Sequence, residues 1–147
     1  MKAFNPYLNF DGNTREAMTF YNACVDGELV IQMFGDVKAP GPPGSENRVM
    51  HARISKGSAI LMASDTFSGM PDSTGAIAPS NFKPGNNVWI SIECETVAEI
   101  EKLFAAWGEG GKVVMPLQDQ FWGARFGMLT DKFGVNWMFN CELPKKS

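Results

Sequence analysis

Few residues in this chain can do acid–base chemistry near neutral pH. His51 is the one histidine in 147 residues, and imidazole is the side chain whose unperturbed pKa lies nearest neutrality. As a general base it needs a carboxylate to orient its ring, and Glu93 and Asp65 are the candidates. The plainer role is a strand histidine hydrogen-bonded into a pocket wall. Glu93 has two readings as well: an acid–base group, or an ion-pair partner for Arg53 or Arg125. Trp89 and Trp122 can stack on a planar or cationic ligand, or simply fill space. Gln118, Asp119 and Gln120 read as a loop, either at the mouth of a cavity or solvated. Asp131, just ahead of Phe133-Gly134, reads as a turn residue.

Much chemistry is excluded by what is missing. One histidine cannot supply a histidine-rich metal site, and a Ser-His-Asp triad would have to be built around His51. Cys24, Cys94 and Cys141 are far apart, odd in number and free of any CxxC spacing. Zinc ribbon, thioredoxin-like motif and disulfide scaffold are thereby set aside, and the thiols are expected to be reduced and structural. No GxSxG, Walker or GxGxxG motif occurs. The net charge of −3 argues against a nucleic-acid surface. No apolar run approaches the roughly 18 residues of a membrane span, and the first residues lack a signal-peptide segment. A cytoplasmic location is expected.

The elements that must position these residues follow from periodicity. Residues 2–10 read as a strand. Asn13 and Glu16 resemble a capping pair for a helix carrying Ala17, Phe20, Tyr21 and Cys24, which Gly27 stops. Residues 28–34 read as a strand, and 35–47, with three prolines and three glycines, as a loop. Residues 48–54 and 58–65 form a hairpin turning at Lys56-Gly57. Residues 66–87 form a long Gly/Pro/Ser-rich connection, a lid or a linker. The pattern then restarts. Residues 88–94 form a strand, and Thr96 with Glu99 a capping box worth about 1 kcal/mol. Val97, Ile100, Leu103, Phe104 and Trp107 form a helix stripe, and 112–117 a short strand. Residues 122–130 and 135–141 form a closing hairpin around Phe133-Gly134.

Each half therefore reads strand, helix, three strands: a degenerate duplication with modules at about 1–66 and 87–143 and a linker at 67–86, in one domain over 1–147. The expected fold class is α+β, two βαβββ modules forming a curved, barrel-like mixed sheet with helices outside. Alternation assigns the faces. Val88, Ile90, Ile92 and Cys94, and likewise Val135, Trp137 and Phe139, face the core. Trp89, Ser91 and Glu93, with Asn136, Met138 and Asn140, form a mixed face suited to a ligand cavity. Val49, His51 and Arg53, and Asn5, Tyr7 and Asn9, are placed on the same kind of face. Nine methionines are many for this length, and those in predicted strands (Met33, Met50, Met62, Met115, Met128) read as adaptable packing.

Several blocks carry a resemblance. They are Pro6-Tyr7-Leu8-Asn9-Phe10, Asn13 with Glu16-Ala17 and Phe20-Tyr21, Val49-Met50-His51-Ala52, Ile60-Leu61-Met62 with Ser64-Asp65, Trp122-Gly123, and Asp131-Lys132-Phe133-Gly134-Val135-Asn136-Trp137. With the paired βαβββ pattern, they resemble the vicinal oxygen chelate superfamily of glyoxalases, bleomycin-resistance proteins and extradiol dioxygenases. Within it they resemble the PhnB-like branch, often labelled 3-demethylubiquinone methyltransferase-like. The resemblance implies a homodimer and a divalent-metal site with four ligands, which carry over onto Asn5, Leu61, Trp89 and Met138. A 77-residue offset between the hairpins also pairs Leu61 with Met138. None of the four is a good ligand, so no metal and no cofactor are expected. An adenosyl cofactor finds no glycine-rich strand-to-helix loop here.

The resulting expectation is a metal-free small-molecule-binding protein. Its ligand contacts are drawn from Asn5, Tyr7, His51, Arg53, Trp89, Trp122, Arg125, Met138 and Asn140. The alternatives are an enzyme using His51 and Glu93 for proton transfer on a small carbonyl or aromatic substrate, and an atypical metal-dependent lyase or dioxygenase.

Overall fold

The computed structural model describes residues 1–38, 41–68, 70–71, 74 and 82–145. Of the expected lid or linker over 66–87, residues 69, 72–73 and 75–81 lie outside them. The chain divides into two compact units, Met1–Lys83 and Pro84–Ser147.

In the first unit, β1 (Tyr7–Phe10) leads through α1 (Thr14–Val25) to β2 (Glu28–Met33). A single helical turn, α2 (Phe34–Val37), and a 3-10 turn at Ser45–Asn47 precede β3 (Val49–Lys56) and β4 (Ala59–Asp65). The sheet order is β1-β4-β3-β2, with β1 parallel to β4 and the other neighbours antiparallel. The second unit repeats the plan: β5 (Ile90–Cys94), α3 (Val97–Trp107), β6 (Lys112–Asp119), β7 (Ala124–Thr130) and β8 (Asn136–Glu142), in the order β5-β8-β7-β6. The α+β class and the βαβββ repeat are as the periodicity predicts. The boundaries shift. The first strand begins at Tyr7 rather than residue 2, and Phe34 opens a helical turn instead of closing a strand. Val88 lies ahead of β5 and is 67% exposed rather than in the core. Gln118 and Asp119 belong to β6, not to a loop.

In the first unit Ala17, Met18 and Tyr21 recur on one face of α1 and are fully buried. They pack on β2, β3 and β4, over Ala52, Ile54 and Ala63. The cap of α1 is not the local pair read from the sequence, since Asn13 makes no side-chain cap bond. Asp65, at the end of β4, supplies it instead. Its Oδ1 accepts from Gly12 N (3.0 Å), Thr14 N (3.1 Å) and Thr14 Oγ1 (2.7 Å), and its Oδ2 from Val49 N (2.8 Å). The helix end is set by Asp26, which takes the left-handed conformation (φ 52°). Gly27 is required because a Cβ there would stand 2.8 Å from the Ser55 carbonyl oxygen.

In the second unit the Thr96 side chain accepts from Glu99 N (3.1 Å), as a capping box requires. The reciprocal bond goes one residue further out, from Glu95 N to Glu99 Oε1 (3.2 Å). Ile100, Phe104 and Trp107 are buried against β8, where Trp107 meets Trp137 edge-on at 4.8 Å and Phe104 meets Phe139 at 5.4 Å. Asp131 is a turn residue and more. It accepts from Phe133 N (2.8 Å) and Val135 N (3.0 Å), and its other oxygen takes the Trp137 indole N–H (2.8 Å).

The Asp65 cap makes a sharp prediction. Asp65→Asn keeps an acceptor for Gly12 and Thr14 but turns an NH2 group toward the Val49 N–H. Loss of about 2 kcal/mol or more is expected, because a buried donor is left unsatisfied. Urea denaturation followed by tryptophan fluorescence measures it, and wild-type stability of the variant would refute the assignment.

Candidate functional site

Each sheet has one face under its helix and one face free of it, and pairing register decides which side chains share the free face. In the first unit Tyr7 lies opposite Met62, Met62 opposite Arg53, and Arg53 opposite Val30. The adjoining row pairs Asn9 with Ser64 and His51 with Gln32. The Tyr7 hydroxyl is hydrogen-bonded to His51 Nδ1 at 3.2 Å, with the two rings 5.8 Å apart. Either group can be the donor, depending on the imidazole tautomer. Ser64 Oγ donates to Asn9 Oδ1 at 3.5 Å. Arg53 is exposed and has no ion-pair partner among the described residues. Asn5 is exposed just ahead of β1. Val49, read as part of this face, is instead buried, its N–H held by Asp65.

In the second unit, the corresponding rows are Ser91–Met138–Met128–Met115 and Glu93–Asn140–Phe126–Gln118. Glu93 accepts from Asn140 Nδ2 (2.9 Å) and from Ser91 Oγ (3.4 Å). The Trp122 ring stands edge-on to Phe126 at 5.9 Å. Trp89 lies just ahead of β5, and its indole N–H donates to the Asn86 carbonyl (3.1 Å).

Two expected pairings do not form. Asp65 does not orient His51, because its carboxylate is committed to α1 and Val49. The partner of His51 is Tyr7, a neighbour that the strand alternation places on the same face but does not pair with it. Glu93 is bonded to Asn140 and Ser91 rather than to an arginine. Arg125 binds Asp119 (Nε to Oδ1, 2.7 Å) and Glu101 of α3. Its guanidinium therefore bridges β6 to the helix. This hydrogen bond holds the Asp119 carboxyl below the usual carboxylate range and raises Arg125 in turn.

The expected equivalence of Leu61 and Met138 also fails. Leu61 pairs with the buried Ile54, so it faces α1, and its counterpart is Trp137, which pairs with Leu129. The β3–β4 turn has two residues between paired positions and the β7–β8 turn has five. An odd difference in loop length moves the hydrophobic phase by one residue. Aligning the turn glycines therefore aligns opposite faces.

A divalent cation needs several carboxylate, imidazole or thiolate donors. Among the described residues no three His, Cys, Asp or Glu side chains gather. The free face of the first unit offers one imidazole, that of the second the Glu93 carboxylate, and Leu61 faces the helix. This donor set does not fit the metal typical of the chelate superfamily. An adenosyl cofactor fits no better. The N–H groups of the β1–α1 turn are already taken by Asp65, and neither sheet is the doubly wound parallel type that such cofactors use.

A family model described as 3-demethylubiquinone-9 3-methyltransferase matches residues 2–139. The chain belongs to this family, in its PhnB-like branch. The crystal structure of PA1353 from Pseudomonas aeruginosa is 41% identical, with a TM-score of 0.82 over 98% of this chain and 100% of that one. The PhnB protein from Bacillus cereus is 28% identical, with a TM-score of 0.70 over 95% and 99% of the two chains. At 11% identity, the glyoxylase/bleomycin resistance protein/dioxygenase domain from Frankia still gives a TM-score of 0.63 over 99% and 95%. That likeness shows the fold. The PhnB-like chain thus carries the glyoxalase/bleomycin-resistance/dioxygenase fold. None of its described helices is long and apolar enough to cross a membrane.

The three thiols are free, with Cys24 half-buried. Cys94 and Cys141 are buried in register on β5 and β8. Burial, followed by the nearby Glu99 carboxylate, pushes the Cys94 thiol from 9.0 up to about 12. The folded state therefore keeps its proton where the unfolded chain loses it. The associated stability is present below pH 9 and lost as pH rises toward 12. Thermal melts from pH 8 upward should fall more steeply for the wild type than for Cys94→Ala, and parallel slopes would refute this.

Proposed function

We propose that this PhnB-like chain is a small-molecule-binding protein that works without the superfamily's usual metal. The observation that carries the reading is the free face of the first sheet. There Tyr7 and His51 are hydrogen-bonded to each other on the same face as Arg53, and among the described residues Arg53 has no ion-pair partner and no cluster of metal-type donors forms. A phenol–imidazole pair beside a guanidinium is equipped to bind a polar ligand by hydrogen bonds and charge. A homodimer in the cytoplasm is the proposed context.

Elemental mass spectrometry after dialysis against mixed divalent ions tests the metal half of the proposal. Retention well below one ion per chain is expected, and one ion per chain would overturn it. A thermal-shift screen of polar small molecules tests the binding half. Tyr7→Phe and His51→Ala should each weaken the best binder about tenfold, or about 1.4 kcal/mol.

A second reading is proton transfer by His51 on a small carbonyl or aromatic substrate. The Tyr7 hydrogen bond favours it, because this bond fixes the imidazole ring with Nε2 unengaged among the described residues. On this reading His51→Ala abolishes turnover while substrate affinity persists. On the first, affinity itself falls.

A further inference from the structure

We infer that the helix-free face of the second sheet binds a flat, apolar ring system carrying a protonated nitrogen, with Glu93 as its anchor. This rests on reading the helix-free faces as ligand-binding surfaces, and it assigns the second face a ligand chemistry of its own.

Three methionines lie side by side across three strands, Met138 on β8, Met128 on β7 and Met115 on β6. Methionine is unbranched and polarisable, and its sulfur contacts aromatic rings favourably. A row of three therefore makes an apolar floor that adapts to the outline of a ring. The adjoining row adds the Phe126 ring, with Trp122 edge-on to it and 54% exposed. The aromatic wall and the thioether floor both suit a planar apolar body.

Glu93 sets the charge. Its two carboxylate oxygens accept from Asn140 and Ser91, both neutral donors. These bonds fix the carboxylate without neutralising it, and they leave acceptor sites open, since a carboxylate has about four. No cation pairs with Glu93 among the described residues. Arg125, two strands away on β7 and in the row of Cys141 rather than that of Glu93, is committed to Asp119 and Glu101. Lys112 occupies the far edge strand, in the row of Thr130 rather than that of Glu93. Glu93 is exposed, so a cation can reach it from solution while its flat body lies across the methionine and Phe126 rows of the same sheet.

The first unit shows that this chemistry is particular to the second face. Where the second face has Met128 and Met115, the first has Arg53 and Val30. Where the second has Glu93, the first has Asn9. The same topology thus presents a cation on one face and an anion among methionines on the other.

Titration of the purified chain with 9-aminoacridine, a flat cation, and with anthracene-9-carboxylate, an anion of the same ring count, tests this by fluorescence in about 0.15 M salt. The expected result is saturable 9-aminoacridine binding and at least tenfold weaker binding of the carboxylate. Glu93→Gln, which retains an acceptor for Asn140, should weaken 9-aminoacridine at least tenfold. Met128→Ser should weaken both probes. Glu109→Gln, an exposed carboxylate beyond α3, should bind as wild type. Circular dichroism confirms that each variant is folded, and should Glu93→Gln fail to fold, Glu93→Ala, which also removes the charge, takes its place. Absence of 9-aminoacridine binding overturns the inference, as does equal binding by Glu93→Gln or a preference for the carboxylate. If the polar ligands governed by Tyr7 and His51 bind nonetheless, the functional reading stands and only this inference falls. If nothing binds either face, both fall.

Discussion

A buried carboxylate ties the first unit together. Asp65 closes β4, accepts three hydrogen bonds from the β1–α1 turn and a fourth from the first residue of β3. A charge taken out of water is tolerated only when its lone pairs are filled, and here the backbone fills them. The arrangement couples where α1 starts to where β4 ends, and β4 is hydrogen-bonded to both β1 and β3. The strand that carries Tyr7 and the strand that carries His51 are therefore placed by the same group. Arg48 braces the neighbouring turn, donating to Asp11 and to the Thr66 carbonyl.

The second unit reaches the same topology by a different device. Asp131 organises the β7–β8 turn and secures the Trp137 indole, so its carboxylate serves the hairpin rather than the helix start. There α3 is capped locally by Thr96. The duplication is thus one of strand order and not of the interactions that enforce it. The glycines follow the same logic. At Gly127 the backbone passes close under α3, where a Cβ would meet the Phe104 ring at 2.8 Å; Gly27 serves the equivalent purpose at a helix end.

Membership of the PhnB-like branch brings a methyltransferase name and a superfamily known for metal chelation, and this chain's residues suit neither an adenosyl cofactor nor a divalent ion. The two helix-free faces differ in chemistry: one holds a hydrogen-bonded phenol–imidazole pair and a guanidinium, the other a carboxylate bonded to Asn140 and Ser91 on a sheet that also carries a methionine row. The shared backbone plan leaves these positions free to diverge, because a side chain on the helix-free face takes no part in packing the core.

Sequence periodicity by itself determined the βαβββ repeat, the α+β class and most members of the mixed faces. These follow from hydrophobic burial with periods of two and 3.6, which is local information. It also carried the turn role of Asp131 and the Thr96 cap, since both bonds close within a few residues. Contacts across long separations were not legible. Asp65 capping a helix 51 residues earlier, Tyr7 meeting His51 across 44 residues, and Arg125 bridging to Glu101 each depend on which strands pair and in what register. The face of Leu61 was decided the same way. Turn glycines mark where a hairpin bends, but the number of residues between paired positions sets the phase of the strand that follows, and only the folded hairpin shows that number.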